Sequence, residues 1–225
     1  MKNSNALAFF AESAKKDSSH LSVKFNSKND HTEQDSAFIL RYANRTTVIC
    51  DLGSGPGLII NRISDSVGHV VAVEPFKEFT DQINKKSNVT ICNETIDAFD
   101  ATDLFDMVTF FATAHYFNTT EIRTVYQKCY RLLKPEGILI VKNQFGVQED
   151  VVVSGYSEEL KAEYYAEYRY LPKEQEILAS VGFVDFEVVD IYPPEYNRWK
   201  NTHFYAIVCK RANSAPSSVA GDLVR

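Results

Sequence analysis

The four cysteines of this 225-residue chain, Cys50, Cys92, Cys129 and Cys209, stand far apart and form no CxxC pair. That spacing excludes a zinc cluster built on such pairs and a disulfide framework, and leaves four reduced, buried thiols as the expectation. No stretch reaches the roughly 18 consecutive apolar residues that a membrane helix needs. The first residues, MKNSNALAFFAESAKK, hold only a short apolar patch followed by Glu12 and a lysine pair, without the small-residue cleavage pattern of a secretory leader. A cytoplasmic chain with no membrane partner is the expectation. Basic runs are missing too, and the formal net charge of −6 argues against wrapping nucleic acid, which takes a concentrated basic surface. The histidines are scattered and the acids are not spaced as an oxygen cage, so no metal is expected.

What is present is ordinary globular material, 44% apolar and 24% charged, in a length that suits one domain. That domain is expected over 1–211, with N-terminal helices over 1–45 as a candidate lid. The closing ANSAPSSVAGDLVR, residues 212–225, reads as a disordered tail. Short apolar runs at Thr47–Asp51, His69–Val73, Val89–Cys92, Met107–Phe111, Ile138–Val141, Phe183–Val189 and Phe204–Lys210 predict seven strands. They alternate with helical patterns near Gly57–Ser66, Lys77–Asn84, Thr119–Leu133 and Pro172–Val181, and two more helices are expected at Ala6–Ser18 and Thr32–Asn44. Such alternation predicts an α/β fold on a doubly wound, mostly parallel sheet. The continuously apolar second and fifth runs should be covered on both faces. Residues 143–171 break the rhythm as an aromatic-rich insertion. Seven of the twelve tyrosines lie between Tyr156 and Tyr196, and on a helix Tyr164, Tyr165 and Tyr168 would share one face.

The sharpest local signal is Val48-Ile49-Cys50-Asp51-Leu52-Gly53-Ser54-Gly55-Pro56-Gly57-Leu58, a strand entering a glycine turn and then a helix. Three alternating glycines let the chain turn tightly and let a ligand lie against it. A phosphate loop would require GxxxxGK[ST] or GxGxxG, and Asp51 would repel a pyrophosphate. The next strand ends in Val73-Glu74-Pro75, about twenty positions beyond the glycines, where a carboxylate can accept both hydroxyls of a ribose. Further on come Asn93-Glu94-Thr95-Ile96-Asp97, then Phe105-Asp106-Met107-Val108 leading to Ala114-His115-Tyr116-Phe117, and Leu133-Lys134-Pro135-Glu136-Gly137.

In this order the DxGxGxG stretch resembles motif I of the class I S-adenosylmethionine-dependent methyltransferases. The later segments resemble the FDLV…AxHWF and LKPGG-type segments of their small-molecule members, with Tyr116 for Trp and Glu136 for the first Gly. The resemblance is strong over residues 45–145 and weak elsewhere. It implies a Rossmann-like sheet whose last strand is antiparallel, and S-adenosyl-L-methionine as cofactor. It also implies a cradle in which Asp51 serves the amino end, Gly53, Gly55 and Gly57 give close approach, Glu74 and Pro75 lie at the ribose, and Glu94, Thr95 and Ile96 lie at the adenine.

Methyl transfer is an in-line displacement, so the protein aligns the acceptor, excludes water and, for a hydroxyl, removes a proton. His115, at the end of the fourth strand, is the candidate base; packing beneath the next helix is its structural alternative. Tyr116, Tyr168, Arg169, Arg198 and His203 are candidate acceptor contacts, with Arg169, Arg198 and Lys142 as a group to receive an anionic substrate. His31 reads as a surface residue that would face the pocket only if the N-terminal helix formed a lid. The expected activity is O-methylation of a hydroxyl or carboxylate on a small metabolite or sugar-derived precursor. N-methylation of a small amine and a non-catalytic cofactor-binding homologue are the alternatives. A short-chain oxidoreductase would need a placed Tyr-x-x-x-Lys pair, and neither Tyr130/Lys134 nor Tyr196/Lys200 follows a strand and serine in that arrangement. Oligomeric state is not legible.

Overall fold

A computed structural model describes residues 3–16, 30–157 and 162–213; residues 214–225 of the expected tail lie outside them. Helices α1 (Asn3–Lys16) and α2 (Thr32–Ile39) precede β1 (Val48–Leu52), α3 (Leu58–Ile63), β2 (His69–Val73), α4 (Lys77–Thr80), β3 (Val89–Cys92) and β4 (Phe105–Phe111). A single turn at Ala114–Tyr116 leads to α5 (Thr119–Leu132), β5 (Leu133–Gly146), β6 (Val151–Ser157), β7 (Ala162–Tyr168), α6 (Leu171–Val181), β8 (Phe183–Asp190) and β9 (Thr202–Arg211).

The seven expected strands form one sheet in the order β3-β2-β1-β4-β5-β9-β8, with β9 antiparallel to both neighbours. Side chains alternate across the strands, so Ile49, Met107 and Ile140 face α2 and α3, while Cys50, Val108, Leu139 and Val141 face α5 and α6. This two-sided burial is why the strands are apolar without a break. The chain runs outward from β1 to β3 and then returns to β4 on the other side of β1. At that reversal the loops leaving the carboxyl ends of β1 and β4 part and open a crevice, the usual ligand position in such sheets.

Several elements differ from their expected extent. The helix after β2 stops at Thr80 because Asn61 takes over the chain beyond it, donating to Gln82 O and accepting from Asn84 N–H at 2.7 Å, a local side-chain competition with helical bonding. α2 stops at Ile39, where Arg41 and Tyr42 tighten to i→i−3 bonds before an Asn44 turn. β5 runs on through Asn143–Gly146, the first residues of the expected insertion, because β9 pairs with it from Ile138 to Gly146. The insertion itself is a hairpin of β6 and β7, not a helix. The 151–157 run VVVSGYS supplies a β-branched partner, and period-two alternation then puts Tyr164 and Tyr168 on one face, with their hydroxyls 3.0 Å apart, and Tyr165 on the other, against Glu167. Glu136, in the place of a family glycine, has φ of 63°.

Candidate functional site

A cavity of about 400 Å³ opens over the carboxyl ends of β1, β2, β4 and β5. Its floor at one end is the glycine turn. Gly53 and Gly55 have φ of 75° and 53°, left-handed conformations that favour glycine. The amides of Gly53 and Ser54 both donate to Val73 O, at 2.9 and 3.2 Å. A Cβ on Gly53 would lie 2.8 Å from Thr113 Oγ1, whereas a Cβ on Gly55 would meet nothing within 4 Å and would stand in open space. Gly57 has a different task. It does not line the cavity, and a Cβ there would lie 2.4 Å from Ile83 Cγ1. The third glycine of the pattern therefore serves packing of α3 against the segment after α4.

Two buried carboxyls face this end of the cavity. Asp51 accepts from Thr109 Oγ1 at 2.7 Å, yet burial pushes its pKa up to about 6. Glu74 accepts from the amides of Gly55 (3.0 Å) and Phe76 (3.2 Å); burial outweighs both and, with Asp51 nearby, pushes its pKa up to about 7. Ser54 Oγ is buried without a partner among the described residues. Desolvated carboxyls, an orphaned hydroxyl and a glycine floor fit a ligand that brings hydrogen-bond donors and positive charge. Pro75, Thr95 and Ile96 line the same end, joined by Phe76, Phe79 and Asp97. Glu94 is exposed and does not line the cavity.

At the other end stands His115, in the turn after β4. Its Nδ1 lies 2.7 Å from Asn143 Oδ1, which accepts, so Nδ1 carries the proton and Nε2 the lone pair. The ring stacks on Tyr168 at 5.2 Å and 19°. Burial, assisted by the charges of Arg169 and Arg198, pushes its pKa down to about 4, so the imidazole is neutral at neutral pH. Tyr116, Tyr168 and Arg198 also line this end, and the Arg198 guanidinium lies 5.9 Å from the Trp199 ring centroid.

Arg169 and His203 do not line the cavity. Arg169 points beneath the His115 turn and is paired with Glu174. His203 is held by Asp190 (2.7 Å) and Asn197 (3.0 Å). Lys142 does reach the cavity, but its Nζ is taken by Asp35 Oδ2 (2.6 Å) and the Tyr192 hydroxyl (2.7 Å). The expected three-cation group is therefore not assembled, because two of its members already have buried carboxylate partners.

The N-terminal segment contributes more than its sequence signalled. Ala6, Leu7 and Phe10 of α1 line the cavity, with Phe10 edge-on to Tyr116 at 5.3 Å. His31, read as a surface residue, lines it too and stacks on Tyr192 at 4.1 Å. Its Nδ1 is 2.7 Å from Gln34 Oε1, and its Nε2 is buried without a partner among the described residues. Asp35, Tyr192 and Phe204 complete this wall. Only the i, i+3 and i+4 spacing of His31, Gln34 and Asp35 could have placed them together. Nothing local in the sequence pointed to Tyr192. No group of three or more potential metal-ligating side chains occurs among the described residues, and no described helix is long and apolar enough to cross a membrane.

Residues 49–137, from β1 to the turn within β5, match the family model of the methyltransferase domain. No relative by sequence was found among curated proteins. Among solved structures, the 1,6-didemethyltoxoflavin-N1-methyltransferase of Burkholderia thailandensis, with bound 1,6-didemethyltoxoflavin and S-adenosylhomocysteine, aligns with a TM-score of 0.71 at 16% identity, covering 92% of this chain and 89% of that one. The N-methyltransferase NodS of Bradyrhizobium japonicum WM9, in complex with S-adenosylhomocysteine, aligns at 0.65 and 12% identity, covering 89% and 97%. The [4+2]-cyclase SpnF aligns at 0.64 and 13% identity, covering 83% and 86%. The family match identifies a methyltransferase domain over residues 49–137, and the sheet order is that of the Rossmann-like methyltransferase fold that these solved structures share. The domain marks an enzyme, with S-adenosyl-L-methionine as its cofactor.

Proposed function

We propose that this methyltransferase transfers its methyl group to oxygen, on a hydroxyl of a small metabolite. The observation that carries this reading is His115: its Nδ1–H is fixed on Asn143, which leaves Nε2 as the lone-pair nitrogen of a ring that lines the cavity. The cofactor, when bound, supplies an electrophilic methyl carbon on sulfonium. The cradle is then assigned residue by residue. Glu74 accepts from the ribose hydroxyls, Asp51 takes the amino end, Gly53 and Gly55 allow backbone approach, and Pro75, Thr95 and Ile96 border the adenine. Neutral His115 accepts a hydrogen bond from the acceptor hydroxyl and orients its lone pair, drawing the proton as the oxygen loses it. Tyr116, Tyr168 and Arg198 shape the acceptor space, while α1, through Leu7 and Phe10, keeps water from the reacting atoms. We assign the chain to the cytoplasm, which its four unpaired thiols favour.

A second reading, methyl transfer to nitrogen, is favoured by two of the structural relatives being N-methyltransferases. The relation to a cyclase keeps a third reading, use of the pocket without methyl transfer, in view. Calorimetric titration with S-adenosylhomocysteine, with NADH as comparison, tests the cofactor assignment: one-site binding of the former alone is expected. Incubating the enzyme with S-adenosylmethionine and a panel of phenols, aliphatic alcohols and amines, followed by mass spectrometry, then decides the acceptor. Methyl ethers support the proposal; methylated amines alone would replace it with the second reading.

A further inference from the structure

We infer that Arg169 is a positioning residue for His115, acting through the backbone of the turn that carries it. This inference rests on the reading of His115 as the acceptor-side base. The guanidinium is 1% exposed. Its Nη1 donates to Phe117 O at 2.6 Å and its Nη2 to Ala114 O at 2.9 Å. These two carbonyls flank His115 and Tyr116, so one planar group spans the turn from end to end. Nε donates to Glu174 Oε2, and Nη2 also reaches Glu174 Oε1 at 3.2 Å. Glu174 in turn accepts from the Tyr126 hydroxyl of α5, which anchors the fork to the core.

The same residue belongs to the insertion. Arg169 follows β7 directly, its carbonyl accepts from Gly146 N–H at the end of β5 (2.9 Å), and its neighbour Tyr168 is the ring against which His115 stacks. Backbone of the turn, face of the ring and proton of Nδ1 are thus set by three neighbouring points: Arg169, Tyr168 and Asn143. The hairpin is fastened to the base it covers and cannot swing as a free lid without carrying the His115 turn with it. A guanidinium is needed because five donors in a fixed plane can serve two carbonyls and a carboxylate at once; an ammonium is a point donor that cannot span them. The remote position of the pair, outside the cavity, also explains why an arginine that suggested substrate binding is not at the substrate.

The test uses full-length protein labelled with ¹⁵N in histidine, read by NMR for the His115 tautomer and titration, alongside S-adenosylhomocysteine calorimetry and thermal melting. Arg169→Lys keeps the charge opposite Glu174 but breaks the fork. The expected result is cofactor-product affinity within about threefold of wild type, together with a His115 signal that loses its single Nδ1–H tautomer and titrates at higher pH. His115 signals identical to wild type alongside a lowered melting temperature would overturn the proposal, since Arg169 would then serve stability alone. If Arg169→Lys does not fold, Arg169→Met with Glu174→Gln removes the buried charges together, and the same two outcomes decide. The histidine readout is made on unliganded protein, so failure of wild type to bind S-adenosylhomocysteine would count against the cofactor assignment and not against this inference.

Discussion

Glu74 Oε2 accepts the amide hydrogen of Gly55 at 3.0 Å, joining the end of β2 to the middle of the glycine turn that follows β1. One carboxylate therefore both shapes the glycine floor and lines the cavity above it. Its second oxygen takes Phe76 N–H, and burial nevertheless leaves it holding a proton up to about pH 7.

The first prediction concerns that proton. A carboxyl whose pKa is raised in the folded protein binds more protons than the unfolded chain between about 4.5 and 7, so its contribution to stability falls as pH rises through this window. Donors from a ribose favour the ionised form and lower the pKa again. Titration with S-adenosylhomocysteine at pH 6.5 should release protons, seen as a binding enthalpy that depends on the buffer's ionisation enthalpy. Glu74→Gln should weaken binding by about tenfold or more, the loss of a charge-assisted hydrogen bond, and should reduce the proton release.

The two glycines that flank Pro56 should fail differently. Gly55→Ala places a methyl in open cavity space; cofactor affinity should fall by at least about tenfold, while stability drops by only about 1–2 kcal/mol for the left-handed backbone. Gly57→Ala drives a methyl into Ile83 at φ of 69° and should cost about 2–4 kcal/mol from overpacking and strain together. Urea unfolding beside calorimetry separates the two; equal loss of affinity at both positions would contradict the division.

His115 is neutral in the fold down to about pH 4, whereas in the unfolded chain it protonates near 6.5. The unfolded state thus binds more protons between those values, and this group's contribution to stability, full above pH 6.5, is lost as pH falls toward 4. Melting temperatures of wild type and His115→Gln across pH 4–7 should differ by a term of that sign, the slopes from Asp51 and Glu74 being shared by both proteins. His115→Ala should reduce turnover with S-adenosylhomocysteine affinity nearly unchanged; unchanged turnover would return the residue to a packing role.

Lys142→Met should destabilise the protein by about 3–5 kcal/mol, because Asp35 is left charged and buried between α2 and β5. Adding Asp35→Leu should recover part of that loss. Chemical denaturation of both variants checks it.

Glu136 pays for a left-handed backbone at φ of 63° in the turn before Ile138. Glu136→Gly should be neutral to stabilising, by up to about 1 kcal/mol, since relief of that strain is offset by glycine's freedom in the unfolded chain. A thermal shift assay reads the sign directly.

What the sequence by itself determined were the elements with strong periodicity and the residues tied to a turn's own geometry. Seven apolar runs defined seven strands, because burial on both faces leaves a continuous signature. Asp51, Gly53, Gly55 and Glu74 declared themselves because a tight turn and the strand end beside it fix their spacing along the chain. Tertiary structure decided what spacing does not encode. A buried cation looks the same in sequence whether it meets a substrate or a carboxylate, so only the fold could show Arg169 against Glu174 and Lys142 against Asp35. Tyr164, Tyr165 and Tyr168 satisfy helical spacing as written, and became a strand because β6 offered a β-branched partner to pair with. His31 and Tyr192 are 161 positions apart and stack at 4.1 Å, a contact made only when α2 and the segment after β8 are brought to the same edge of the sheet.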